Sequence, residues 1–316
     1  MINLETAGTR EFIVKANTAE GQASSAADCC CASDIANLTF GARVERLKKI
    51  AKAMRRNVVD MVYIAQSGHI GGSLSAADFV TALYFDLMNI DPANPRWEDR
   101  DRFVLSKGHA CPIWYSALAL RGFFPEDELK TLRKNDSRLQ GHPIATYLPG
   151  LDASAGSLGI GFAQAVGIAM EGKLVTKKDY KVYAVLGDGE INEGIIWEAS
   201  LAAAKFKLDN LVAIVDMNNL QLDGTTGEVM PMEPVDAKFR AFGFDVLTMD
   251  GHDMDDVLTT LTKAKNACSG KPTCILAYTV KGKGVSFMEH QVDWHGKAPN
   301  DEQYKKACEE LEGAAS

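Results

Sequence analysis

The chain has no apolar run approaching the roughly 20 residues that a bilayer-spanning helix needs. Its N-terminus also lacks the basic-then-apolar order of a secretory signal. A helical membrane span and an export signal drop out of the reading, and the cytoplasm is the expected compartment. Basic charge is in short supply as well: 34 Lys and Arg stand against 42 Asp and Glu, a formal net charge of -8. That balance gives no general footprint for nucleic acid or an anionic membrane, so small molecules and proteins are the expected partners. The cysteines number 7, an odd count for a disulfide framework, and no pair has zinc-ribbon spacing. Cys29, Cys30 and Cys31 are adjacent, but no further Cys or His lies at ligand spacing, and they read as incidental thiols. An internal repeat and a long Pro/Gly/Ser linker are absent too, which favours one domain over two in 316 residues.

Residues 1 to about 40 are rich in Ala, Ser, Thr and Glu without sustained periodicity, and are expected to form an extension outside a domain running from 41 to 316. From Gly41 onward, Val44, Leu47, Ala51, Met54, Val58 and Met61 recur at helical spacing, with Lys48, Lys49, Lys52 and Arg55 on the complementary face. This predicts an amphipathic helix ending near Ser67-Gly68. Val182 to Leu186, Leu211 to Val215, Phe244 to Met249 and Cys274 to Val280 read as strands, and their near-continuous apolarity suits strands covered on both faces. Between them, Ile195, Ile196, Ala199, Ala202, Ala203 and Phe206 mark one helix. Met254, Val257, Leu258 and Leu261 mark another, with Asp253 as its N-cap. Alternating strands and helices predict an α/β fold: a parallel sheet with helices on both faces and right-handed crossovers. Ligands of such sheets bind beyond the C-terminal ends of the strands.

Two clusters fall at such ends. Gly187-Asp188-Gly189-Glu190 follows the strand ending at Leu186, and Asn218-Asn219 stands thirty positions beyond Asp188 after a helix and another strand. Each alone reads as a turn or a cap. Together they offer a hard divalent cation a carboxylate from Asp188, an amide oxygen from Asn218 and the carbonyl of Leu220, leaving phosphate and water to complete about six oxygens. The glycines admit close approach of a diphosphate, and a following helix N-terminus would favour its charge. The arrangement resembles the thiamine-diphosphate motif, which implies thiamine diphosphate with Mg2+, or alternatively Ca2+ or Mn2+.

Three further segments narrow the resemblance: Ser67-Gly68-His69-Ile70-Gly71-Gly72, Leu105-Ser106-Lys107-Gly108-His109-Ala110 and Gly141-His142-Pro143. With Gly156-Ser157-Leu158-Gly159 and, after the metal motif, Trp294-His295-Gly296, they resemble in order the N-terminal half of transketolase over residues 41 to about 300. The resemblance implies that His69, His142 and His295 serve substrate oxygens, His142 at the donor C1 hydroxyl. It places His109 nearer the diphosphate, Gly156 and Leu158 at the aminopyrimidine, Gly189 and Asn218 at the diphosphate, and Lys281 where it would neutralise charge. Near neutral pH, imidazole suits the proton movements of two-carbon ketol transfer from a ketose to an aldose. His252 and His290 read as polar surface. Two departures, Ile70 and Ser157, stand where the family usually has proline.

Transketolases carry a second domain with the glutamate that activates the aminopyrimidine. The resemblance therefore implies an α2β2 assembly with a separate C-terminal subunit. The α subunit of a 2-oxoacid dehydrogenase shares the metal motif but not the Ser-Lys-Gly-His segment, and a deoxyxylulose phosphate synthase lacks that segment too. A non-catalytic scaffold is a further alternative, against which the intact histidines stand. A nicotinamide site is disfavoured, because Gly156-x-x-Gly159-x-Gly161 has the wrong glycine spacing.

Overall fold

The computed structural model of the chain describes Ile35 and residues 37–313. The expected N-terminal extension and the Cys29 to Cys31 cluster thus lie outside the described residues, apart from Ile35 and the few residues leading into the first helix. Five strands form the sheet: β1 (Arg102–Leu105), β2 (Val182–Gly187), β3 (Leu211–Met217), β4 (Asp245–Asp250) and β5 (Thr273–Tyr278). All pair in parallel, in the order β1-β2-β3-β5-β4. The four strands expected from apolarity are there, with ends shifted by a residue or two. β1 was not expected: its short Arg-Phe-Val-Leu run is hidden among Asp99, Arg100 and Asp101.

The helices in chain order are α1 (Phe40–Ala65), α2 (Gly71–Ser75), α3 (Ala77–Ala82), α4 (Cys111–Leu120), α5 (Ile160–Met170), α6 (Gly194–Lys205), α7 (Thr226–Val229), α8 (Val235–Ala241), α9 (Met254–Lys265) and α10 (Asp301–Gly313). Thr39 caps α1, and Gln66 ends it in the left-handed region with φ 48, one residue before the expected stop. Asp253 caps α9 as expected, accepting from the Asp255 N–H.

Period-2 alternation along the strands splits the core in two. Phe103, Leu105, Tyr183, Val185, Val212, Ile214 and Ile275 face α1, α3, α4 and α9. Val104, Val182, Ala184, Leu186, Ala213, Val215 and Leu276 face α5, α6 and α8. Crossovers are right-handed, so α6 and α8 share the face on which the chain steps from β2 through β3 to β4. The return step from β4 to β5 then puts α9 on the opposite face.

A buried ion pair joins α1 to α3. Arg55 Nη1 donates to Asp78 Oδ1 at 3.0 Å, and Nη2 donates to Oδ2. His252 completes the cluster, with Nδ1 2.8 Å from Asp78 Oδ2 and Nε2 accepting from the Val280 N–H at 2.8 Å. Because Nε2 accepts, the ring proton lies on Nδ1 and faces the carboxylate. His252 is therefore not the polar surface residue expected; its partners come from distant segments, and a loop position in sequence does not reveal them. His290 is exposed, as expected. Burial alone would raise the Asp78 carboxyl, but Arg55 and His252 outweigh it and hold it down at about 2. A depressed carboxylate stabilises the fold above its unfolded pKa of roughly 3.9, and that contribution is lost as pH falls toward 2. Asp78→Asn leaves Arg55 buried without its counter-charge and should cost about 3–5 kcal/mol at neutral pH. Urea unfolding at several pH values measures this. The variant's stability should also fall less than the parent's on acidification, and a loss below about 1 kcal/mol would contradict the assignment.

Candidate functional site

Parallel register explains the thirty-residue spacing between Asp188 and Asn218. Gly187 pairs with Asp216, so the residues just beyond β2 and β3 emerge together at one edge of the sheet. There the Asp188 carboxylate accepts from Gly189 N at 2.8 Å and from Asn219 N at 2.5 Å. Asn219 lies in the left-handed region, φ 63, which turns its N–H toward Asp188. Asn218 Nδ2 donates to Asp216 Oδ2 at 3.3 Å, which orients the amide so that Oδ1 accepts from Leu220 N at 3.1 Å. Burial, then the neighbouring Asp216, pushes the Asp188 carboxyl up to about 7. Its partners are neutral N–H groups, and a cation would relieve it.

The histidines converge on the same spot from four loops. His69 precedes α2, His109 lies in the turn Gly108–Ala110 after β1, His142 sits in the loop before α5, and His295 ends the turn Val292–His295. The His69 ring centroid is 5.2 Å from that of His109, 6.2 Å from His142 and 5.4 Å from His295, and His109 stacks on His295 at 5.1 Å. A cavity of about 320 Å³ is lined by all four, and by Gly156, Leu158, Asp188, Gly189, Asn218, Leu220 and Lys281. Every residue nominated from sequence thus lines one cavity. Ile70 is buried with φ -83, and Ser157 is exposed.

The cavity is tuned to keep imidazole neutral. Burial, then Arg133, lowers His69 to about 4. Burial, then Lys281, lowers His295 to about 3. His109 lies well below its ordinary range through burial and Lys107. Lys281 is itself lowered by burial to about 8. Its Nζ lies 2.8 Å from His295 Nδ1 and 3.2 Å from both the Leu220 and Gln221 carbonyls. An ammonium only donates, so His295 Nδ1 accepts and its ring proton is on Nε2.

Sequence reasoning missed the network beneath. Lys107 and Asp216 are fully buried and paired; Lys107 Nζ also donates to Gly72 O at 2.8 Å. Asp216 accepts from Ser75 Oγ at 2.6 Å and from Thr279 Oγ1, binding α2 and the β5 end to β3. Glu190, also buried, accepts from Gly159 N at 2.7 Å, Gly187 N at 2.9 Å and Ser106 Oγ. The available signal was a charge inside the apolar run Leu211 to Met217, since a charge in a strand covered on both faces demands a partner. A 3₁₀ turn, Glu190–Asn192, follows Gly-Asp-Gly, and α6 starts at Gly194, where the apolar pattern from Ile195 places the helix.

A metal-bound diphosphate fits these residues. His69 Nδ1 and Gln221 Nε2 are buried with no protein partner. A Cβ added at Gly156 would meet nothing within 4 Å, leaving room against the backbone. No group of three His, Cys, Asp or Glu that could hold a metal alone occurs among the described residues. A cation here must take most of its oxygens from a bound ligand and water, as Mg2+ does with phosphates.

Comparison with known proteins agrees with the geometry. Residues 46–313 match the family model described as "Transketolase, thiamine diphosphate binding domain". The chain belongs to the transketolase family. Among its relatives, an apulose-4-phosphate transketolase subunit of Phocaeicola vulgatus is 44% identical over 269 residues, covering 85% of this chain and 95% of that protein. The 6-deoxy-6-sulfo-D-fructose transketolase subunit SqwG of a Clostridium species is 44% identical over 269 residues, covering 84% of this chain and 96% of that one. The crystal structure of Campylobacter jejuni transketolase superposes with a TM-score of 0.79 at 37% identity, covering 84% of this chain and 42% of that chain.

For this transketolase-family site the buried pair makes a sharp prediction. Lys107→Met or Asp216→Leu alone strands one buried charge and should destabilise by about 3–5 kcal/mol, while the double variant recovers most of that loss. Thermal or urea unfolding of all four proteins measures the coupling. Additive single losses would mean that the two charges do not depend on each other.

Proposed function

We propose that this chain is the thiamine-diphosphate-binding subunit of a two-chain transketolase, transferring a two-carbon ketol unit from an anionic ketose to an aldose. The observation that carries the reading is the meeting, in one cavity, of four neutral histidines with a carboxylate, an amide and a carbonyl at adjacent strand ends. The names of the relatives support a two-chain enzyme: this chain covers 95% and 96% of proteins designated as subunits, but 42% of the Campylobacter jejuni chain. A C-terminal subunit on a second chain, two copies of each, would complete the sites. The cytoplasm is the proposed compartment; no helix among the described residues is long and apolar enough to cross a membrane.

Asp188, the Asn218 amide oxygen and the Leu220 carbonyl would hold Mg2+, and Gly189 and Asn218 the diphosphate. His109 and Lys281 would face its charge, while Gly156 and Leu158 would meet the aminopyrimidine. When bound, the cofactor supplies the electron sink for the two-carbon fragment. The protein orients and moves protons. His142 holds the donor C1 hydroxyl, and His69 and His295 face the reacting oxygens. A neutral imidazole takes a proton from the donor hydroxyl as the C2–C3 bond breaks, and returns one to the acceptor alkoxide. With Nδ1 held by Lys281, His295 presents its Nε2–H as the donor.

The two groups of residues should fail differently. Calorimetry on the assembled enzyme with Mg2+ should find that Asp188→Ala abolishes most thiamine diphosphate affinity, whereas His142→Ala leaves it near the parent value and raises the donor KM. His295→Ala should chiefly lower kcat, by about 10²–10⁴-fold. Unchanged cofactor binding by the Asp188 variant, or cofactor loss by the histidine variants, would overturn the assignments.

A further inference from the structure

We propose that Arg133 is a positioning residue, wedged between the loops that carry His69 and His142 so that one guanidinium sets both rings against the donor and supplies the positive charge they face. Arg133 Nη1 donates to Ser67 Oγ at 3.2 Å, two residues before His69, and Nη2 reaches the Gly141 carbonyl at 3.5 Å, one residue before His142. The fork lies close against the Gly141 α-carbon: a Cβ there would fall 2.6 Å from Arg133 Cζ, so a side chain at 141 would push the guanidinium out of this position. The Arg133 backbone is committed to this placement, with φ 59, a left-handed conformation that arginine rarely adopts, and its N–H donates to Leu139 O at 2.8 Å. Cys111 Sγ, on α4, steadies the same Gly141 carbonyl at 3.2 Å.

These contacts are to neutral atoms. Arg138 in the same loop is instead neutralised by both Glu128 oxygens, at 2.8 and 2.7 Å. The Arg133 charge faces both histidines, and also Cys111 and Tyr115. Burial first, then Arg133, holds both His69 and His142 below the ordinary imidazole range. The other groups facing His69 are His142, His109, His295 and Lys281. Of these only Lys281, which follows β5, carries charge. Lysine would keep the charge but not the fork that spans two loops.

The inference rests on the assignment of His69 and His142 to substrate, and the test separates the two. In the assembled two-chain enzyme, Arg133→Gln, Arg133→Lys and the control Arg138→Gln are compared in three measurements: thiamine diphosphate affinity, ketol-transfer kinetics, and NMR titration of 13C-labelled histidine, assigned by substitution among the 6 histidines. Arg133→Gln should keep the cofactor affinity, raise the donor KM, and lower kcat/KM by about 10- to 100-fold. Its His69 and His142 should titrate at higher pH. Arg133→Lys should keep the low histidine titration yet still show the raised KM, and Arg138→Gln should match the parent. Parent-like KM and titration in Arg133→Gln would overturn the proposal, and so would loss of fold and cofactor together, which would mark a structural residue. Absence of ketol transfer by the parent complex would instead sink the functional reading, while the NMR titration still decides whether Arg133 sets the charge state of the two rings.

Discussion

The pairing of Lys107 with Asp216 is the constraint on which the rest of the site depends. Both charges are removed from water at the mouth of the sheet, one just past β1 and the other within β3. Desolvating each ion costs several kcal/mol, so the pair adds little net stability over an apolar one. Its contribution is registration. Lys107 reaches Gly72 at the start of α2, and Asp216 gathers Ser75, Thr279 and Asn218. Four segments that bear site residues are thereby referred to one buried point.

From that frame the electrostatics of the cavity follow. Low dielectric and neighbouring cations keep the imidazoles unprotonated, while the same burial leaves Asp188 short of a positive partner. One cavity thus holds a carboxylate that a cation would relieve together with neutral acid-base groups. The two sets reach it from different segments: Asp188 and Asn218 leave β2 and β3, whereas His69, His142 and His295 arrive on loops outside those two strands.

Much of this is legible in the sequence because it is local. Buried parallel strands announce themselves as apolar runs, and the ends of β2 and β3 are aligned by register, so residues thirty apart can be matched without coordinates. What escapes is non-local. β1 is four residues long and flanked by charge, below the length at which composition speaks. His252 reads as surface because Asp78 is distant in sequence, and Lys107, Glu190 and Arg133 show no role there because their partners lie on other loops. Nor does spacing reveal that the Glu190 carboxylate, in the 3₁₀ turn before α6, accepts from Ser106, Gly159 and Gly187.

On the proposed function, this chain holds one half of a catalytic site and a second chain holds the other. The direct measurement is a two-carbon transfer assay, with Mg2+ and thiamine diphosphate, on this chain, on a chain carrying the complementary transketolase half, and on their mixture. The account predicts essentially no transfer from either alone and turnover that appears on mixing and saturates at a fixed ratio of the two. Robust transfer by the isolated chain would contradict it.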